Sequence, residues 1–363
     1  MKERQSNLEL LRIVAMLAVI AGHFLWQSGL VDAGLASGFS PKTLFLQFAS
    51  VWGKTAINAF VLISGYFMCT GRLTPRRFVR LVLEVYFYKF FTLFVARAIG
   101  WAPLSGWCLF RAICWPFYEV NHGFTTSFIW FYLFIPFYNT LLLQVTKRQL
   151  GLLIAALVAM MTVSSSFFLN PASFNYVLWY MTMYFIGAFV RLYPYKWMNS
   201  NCVCVPALIL AFIGSCALII GLNFAPAVGA WKFGFDHLLL QSDRPCALGV
   251  GILLFLSFKN WRLRYSRFIN AVAATCFGVL LIHGAYPHEF TIHVWDGLFH
   301  GKDWYGHSFV VLAAVSISVP LIVFSVCSVC DFIRIHLIEK PFLDYLERHV
   351  FDPRLKEWWS GRS

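Results

Sequence analysis

An arginine and a histidine stand inside the first hydrophobic segment of the chain, Arg12 and His23 in the run from Leu8 to Phe24. An ionisable group at mid-bilayer costs about 2.5–3.5 kcal/mol on insertion scales, so a sequence that keeps one there normally uses it in a site. Eleven residues at about 100° each make three helical turns plus about 20°, so both side chains point the same way, roughly 16 Å apart along the axis. One inward stripe therefore carries a guanidinium near the start of the segment and an imidazole in its far half.

Further polar residues are spaced as if to meet that stripe. Lys54 and Asn58 lie one turn apart among Gly53, Ala56, Ala59 and Gly65, small residues that permit close helix approach. Lys54 is too deep to snorkel easily to either surface. His283 falls at the depth of His23, either as a helix-end histidine bonded to a backbone carbonyl or as the second imidazole of one cavity. Asp243 and Arg244, next to Pro245, read as a structural ion pair or as substrate contacts. Arg76, Arg77 and Arg80 directly follow the second segment. Guanidiniums grip phosphates through paired hydrogen bonds, so this cluster either docks a polyphosphate or anchors topology at lipid headgroups. Near the end of the chain, Glu339 sits at a depth that makes it the expected ion partner of Arg12.

Metal and redox centres are not expected. His288 and His293 are five residues apart where a zinc-protease helix needs four. Cys327 and Cys330 have redox-motif spacing but lack the strand-to-helix context that gives such a pair meaning.

The elements that must position these side chains are membrane helices. Of 363 residues, 60% are hydrophobic and 12% charged, which excludes an ordinary soluble globule. Apolar windows long enough to cross about 30 Å of hydrocarbon fall near 8–29, 44–69, 79–100, 126–146, 150–169, 174–191, 203–223, 237–258, 270–287 and 308–335. The fold class expected is an all-α, polytopic bundle of ten transmembrane helices, residues 1–345, followed by a short tail, 346–363. The first helix is not expected to be a cleaved signal peptide, because charges interrupt its apolar run and no small-residue cleavage site follows it. Residues 102–122 are interrupted by Pro103 and Pro116 and read as an interfacial loop. No internal repeat is visible.

Lys and Arg accumulate in cytoplasmic loops. Alternate loops and the termini hold 20 of the 29 Lys and Arg residues, the opposite loops hold five, and Arg12, Lys54, Lys89 and Arg244 lie inside the windows. That asymmetry puts both termini in the cytoplasm. The net charge of +13 follows from topology and contact with anionic membrane lipid, so no nucleic-acid partner is inferred.

Taken together, these residues resemble the membrane acyltransferase-3 family, bacterial O-acyltransferases of surface polysaccharides. The resemblance is carried by Arg12 and His23 after Asn7-Leu8-Glu9-Leu10-Leu11, by the segment Phe60–Phe67 with its following Arg cluster, and by Glu339-Lys340-Pro341-Phe342. Trp130–Leu133 and Asn270–His283 resemble the branch that modifies capsule and exopolysaccharide. The chain departs from the family pattern at Leu281 and at Asp243-Arg244. The resemblance implies a bacterial inner-membrane enzyme that moves an acyl group, usually acetyl, from cytoplasmic acetyl-CoA or another acyl-CoA to a sugar hydroxyl of an envelope or exported polysaccharide or lipid-linked glycan. Arg76, Arg77 and Arg80 would then hold the donor phosphates, and His23 would serve as general base or as a transient acyl carrier. Arg12 would steady the donor's anionic groups with Glu339 behind it, and Lys54 or Asn58 would meet the thioester oxyanion. The competing reading is a transporter of a lipid-linked sugar or small anion, with Arg12, His23, Lys54 and Arg244 lining its path.

Overall fold

In the structure, a computed structural model, residues 4–101, 105–114, 123–168, 175–225, 230–284 and 288–349 are described. Among them the fold is all-helical, with no strand. In chain order the helices are α1 (Ser6–Gln27), α2 (Leu30–Ala36), α3 (Pro41–Ser50), α4 (Trp52–Met68), α5 (Pro75–Ala98), α6 (Gly106–Cys114), α7 (Phe124–Gln144), α8 (Lys147–Val158), α9 (Ser164–Phe167), α10 (Tyr176–Leu192), α11 (Asn201–Asn223), α12 (Ala230–Leu238), α13 (Pro245–Asn260), α14 (Arg267–Ala274), α15 (Cys276–His283), α16 (His288–Ile292), α17 (Phe309–Arg334) and α18 (Lys340–His349).

Six helical stretches among the described residues are long and apolar enough to cross a membrane: Ser6–Gln27, Pro41–Met68, Phe124–Gln144, Lys147–Phe167, Asn201–Asn223 and Phe309–Leu346. Tyr176–Leu192, Pro245–Asn260 and Arg267–His283 are apolar but shorter, and α5 is long but carries Arg76, Arg77, Arg80, Glu84, Lys89 and Arg97. Large apolar side chains such as Leu143, Phe137, Val310, Phe268 and Leu337 are exposed on the outside of the bundle. An exterior of that kind is suited to lipid.

Several windows are subdivided. The second is two helices meeting at Val51, and the ninth breaks at Thr275 between α14 and α15. In the eighth, the expected helix through Asp243-Arg244 is instead a turn between α12 and α13. Pro245 opens α13 at its first position, and Arg244, immediately before it, is extended with ψ 151°, as a residue preceding proline must be. The stretch read as an interfacial loop contains α6; Pro103 and Pro116 lie outside the described residues, as does most of the 346–363 tail.

Helix α4 is the centre of the bundle, packed on α1, α10 and α13. Small residues permit these approaches. A Cβ on Gly22 would lie 3.4 Å from the Gly53 Cα, one on Gly65 would meet the Tyr184 carbonyl oxygen at 2.5 Å, and one on Gly187 would meet the Leu62 oxygen at 2.6 Å. The Gly65 and Gly187 contacts leave no room for a methyl group, which fixes the register of α4 against α10, while α1 meets α4 at van der Waals distance.

Candidate functional site

The close crossing of α1 and α4 at Gly22 and Gly53 puts Lys54 beside the stripe that carries Arg12 and His23. The start of α5 supplies a second set of cations. The Thr74 side chain accepts a hydrogen bond from the Arg77 backbone N–H, and Pro75 fills the first helical position, a pairing that fixes where a helix begins. The arginine cluster therefore lies on the first turns of a helix, with Arg77, Arg80 and Glu84 along one face at spacings of three and four.

These elements enclose a cavity of about 860 Å³. Its wall follows α1 from Gln5 to Gln27, about 33 Å at the helical rise, close to the thickness of bilayer hydrocarbon. Arg12, His23, Lys54, Arg77 and Arg80 all line it. Arg4 and Arg191 line it too, so six cationic side chains face two carboxylates, Glu9 and Glu84. Arg4, Arg77, Arg80 and Arg191 gather around the end that holds the N-terminus of α1, where Arg191 donates to the Tyr66 hydroxyl at 2.9 Å and lies over its ring. The middle of the cavity is apolar, between Val19, Ile57, Phe60 and the aromatic wall of Phe128 and Phe277. A site of this composition suits a long ligand with an anionic head and an apolar or neutral arm.

The far end holds few polar groups, each with a partner. Nδ1 of His23 lies 3.0 Å from Nε2 of His283, whose own Nδ1 is 2.6 Å from the Val279 carbonyl oxygen. His283 is buried behind His23 and is not in the cavity wall. Lys54 donates to the Tyr176 hydroxyl at 3.3 Å, and Gln27 accepts from the Trp295 indole at 2.9 Å.

Several expected contacts are not made. Glu339 does not pair with Arg12. A π-helical turn, Ile335–Glu339, swings its carboxylate between Arg334 and Arg80, both at 2.7 Å, while Arg12 pairs with Glu9 one turn away at 3.2 Å. Asn58 does not reach the cavity: it is fully buried, donating to the Ser242 and Ala247 carbonyls and accepting from the Trp179 indole. It ties α4 to α10 and α13. Arg76 turns to the flank of α5 and meets Asp344 at 2.8 Å. Asp243 and Arg244 face each other at 3.7 Å, with Arg244 donating to the Asp236 carbonyl, also outside the cavity wall.

Glu339 belongs to a buried network that sequence reasoning did not single out. Arg334 donates to Glu84 at 2.9 Å, Asp331 at 2.7 Å and Glu339 at 2.7 Å, and the Tyr88 hydroxyl donates to Asp331 at 2.6 Å. Asp331 fits because Gly278 faces it; a Cβ there would collide with its carboxylate. The available signal was Asp331 and Arg334 three apart inside an apolar span, a pair that lipid would not tolerate unpartnered. Among the described residues no group of His, Cys, Asp and Glu is arranged to hold a metal ion.

A family model described as an acyltransferase domain, that of the acyltransferase-3 family, matches residues 5–329. The match takes in the whole cavity-lining stripe of α1, Lys54 and the face of α5, and stops ten residues before Glu339. No curated protein matches the chain, and no solved structure does. With about nine-tenths of its residues under one family model and several apolar helices of membrane-crossing length, the chain belongs to the acyltransferase-3 family and is a multi-pass membrane acyltransferase.

Proposed function

We propose that the protein transfers an acyl group, in the first instance acetyl, from cytoplasmic acyl-CoA to a sugar hydroxyl of an envelope or exported polysaccharide or its lipid-linked precursor, in the inner membrane of a bacterium. The bundle crosses the bilayer ten times with both termini in the cytoplasm. The observation that carries the reading is the continuous cavity with four guanidiniums around one end and His23 near the other. Arg4, Arg77, Arg80 and Arg191 suit the phosphates of coenzyme A, since guanidinium forks pair with phosphate oxygens. The apolar middle suits the pantetheine arm and its acyl group. His23 receives the proton of the acceptor hydroxyl, which is a poor nucleophile until that proton is removed. Lys54 stands on the same wall as His23 and balances the oxyanion as the thioester carbonyl is attacked. Arg12, held by Glu9, steadies the donor between the two ends.

The test is turnover by the purified protein in lipid nanodiscs with radiolabelled acetyl-CoA and glycan extract. Label should pass to glycan with the wild type, and His23→Ala should lower kcat by about 10²- to 10⁴-fold while leaving donor Kd unchanged. Undiminished transfer by His23→Ala would remove this residue from the mechanism. Absence of donor binding would remove the donor.

A further inference from the structure

The contact between His23 and His283 fixes more than a distance. A carbonyl oxygen only accepts, so the 2.6 Å contact to Val279 requires an N–H on Nδ1 of His283. His283 is 5% exposed, and its two partners, His23 and a backbone carbonyl, bring no negative charge. A buried imidazole in that setting rests neutral, which leaves a lone pair on its Nε2. Across the 3.0 Å contact the hydrogen then belongs to Nδ1 of His23. Nε2 of His23 keeps the lone pair, on the opposite side of the ring and on the residue that lines the cavity.

We infer that His283 is a positioning residue that holds His23 in the Nδ1–H tautomer, so that Nε2 of His23 is the atom that takes the proton of the acceptor hydroxyl. This rests on the function proposed above. As the hydroxyl oxygen bonds to the thioester carbonyl carbon, its proton passes to Nε2 of His23. The carbon–sulfur bond then breaks, and the leaving thiolate takes that proton back to become the free thiol of coenzyme A. Between the two transfers His23 carries both ring protons and a positive charge, and the Nε2 lone pair of His283 accepts its Nδ1–H. The rings are tilted 45° with centroids 5.1 Å apart, a geometry that keeps the bond near both ring planes better than a stacked pair would. His283 never touches substrate in this scheme. It acts through orientation, as the third member of a nucleophile–base–orienter set does.

Two measurements test the inference. The first needs no turnover: ¹⁵N-histidine NMR of the full chain in nanodiscs, with the His23 signal identified by its loss in His23→Ala. His23 should carry its proton on Nδ1 in the wild type and lose that preference in His283→Phe. A wild-type His23 protonated on Nε2 would overturn the assignment. The second is kinetic. His283→Phe keeps the volume but offers no acceptor and should lower kcat by about 10²-fold with donor Kd within twofold, whereas His283→Gln, whose amide oxygen can accept from Nδ1–H, should stay within about tenfold of wild type. If His283→Phe turns over at the wild-type rate while His23→Ala is dead, the positioning role is wrong and the proposed function stands. If His23→Ala transfers at the full rate, His23 is not the base, the positioning role of His283 falls with it while acyl transfer stands, and the NMR result alone decides the tautomer.

Discussion

The two ends of the cavity are built on different principles. Around the N-terminus of α1, four guanidiniums from three parts of the chain, Arg4, Arg77 with Arg80, and Arg191, converge on one space. They sit where helices begin or end, with charge in excess of the carboxylates beside them. Charge of this kind selects a ligand at range and tolerates small displacements. Near His23 the polar groups are few, flanked by apolar walls, and each is held by a defined contact: His23 to His283, Lys54 to Tyr176, Gln27 to Trp295. Such groups do little to attract a ligand and depend on angle and on tautomer. One end is organised for affinity and the other for reaction, and α1 is the element common to both.

Substitutions can separate these roles. The largest effect outside the chemistry should come from the support beneath the cationic end. Arg334→Leu leaves Glu339 with Arg80 and Asp331 with the Tyr88 hydroxyl but takes the arginine away from all three buried carboxylates, and removal of one partner from a buried ion network typically destabilises by about 3–5 kcal/mol. Thermal unfolding in nanodiscs should show a clearly lower midpoint; an unchanged midpoint would mean that the network contributes nothing to folding. Arg77→Ala should act on binding, because a hydrogen bond to a charged group contributes about 1.5–3 kcal/mol. That corresponds to donor Kd weakened by roughly tenfold to a hundredfold, with kcat at saturating donor little changed, and the effect should shrink as salt is raised. Loss of kcat at unchanged Kd would contradict the division between the ends. Arg76→Ala, one residue away but turned to Asp344 at the flank, should leave donor Kd within about twofold, since exposed pairs contribute little. Equal weakening by Arg76→Ala and Arg77→Ala would show that the cluster acts as diffuse charge and not through one helical face.

What the sequence made legible was local. Arg12 and His23 share a stripe because eleven residues nearly close three turns, and nothing elsewhere in the chain alters that. Gly53 and Gly65 announced close packing by their size. The partners of these residues were not legible, because they depend on how helices rotate against one another. Asn58 shares a helix with Lys54, yet a turn of backbone directs it to Trp179 and Ser242 and not to the cavity. Glu339 has the depth expected for Arg12, but the π-helical turn before it sends it across to Arg80 and Arg334. Arg4 and Arg191 read as topological charges until the fold curls the cavity past them. Asp243 and Arg244 read as residues within a helix because the hydropathy of their surroundings outweighed the signal of Pro245, which marks a helix start.

The ion network of α17 also bears on how the chain is made. This helix is apolar enough to enter lipid unaided, yet its last turn brings Asp331 and Arg334 with it, and a charge buried there without a partner opposes insertion. They neutralise one another in part, and Glu339 lies just beyond them, but the other acceptor and donor are Glu84 and Tyr88, on a helix synthesised some 250 residues earlier. Helix α17 therefore settles only when α5 is already in place to receive it. A nascent chain with α5 missing or inverted would present the charges of α17 to the bilayer without these partners, so the order in which the two helices enter the bundle matters to its folding.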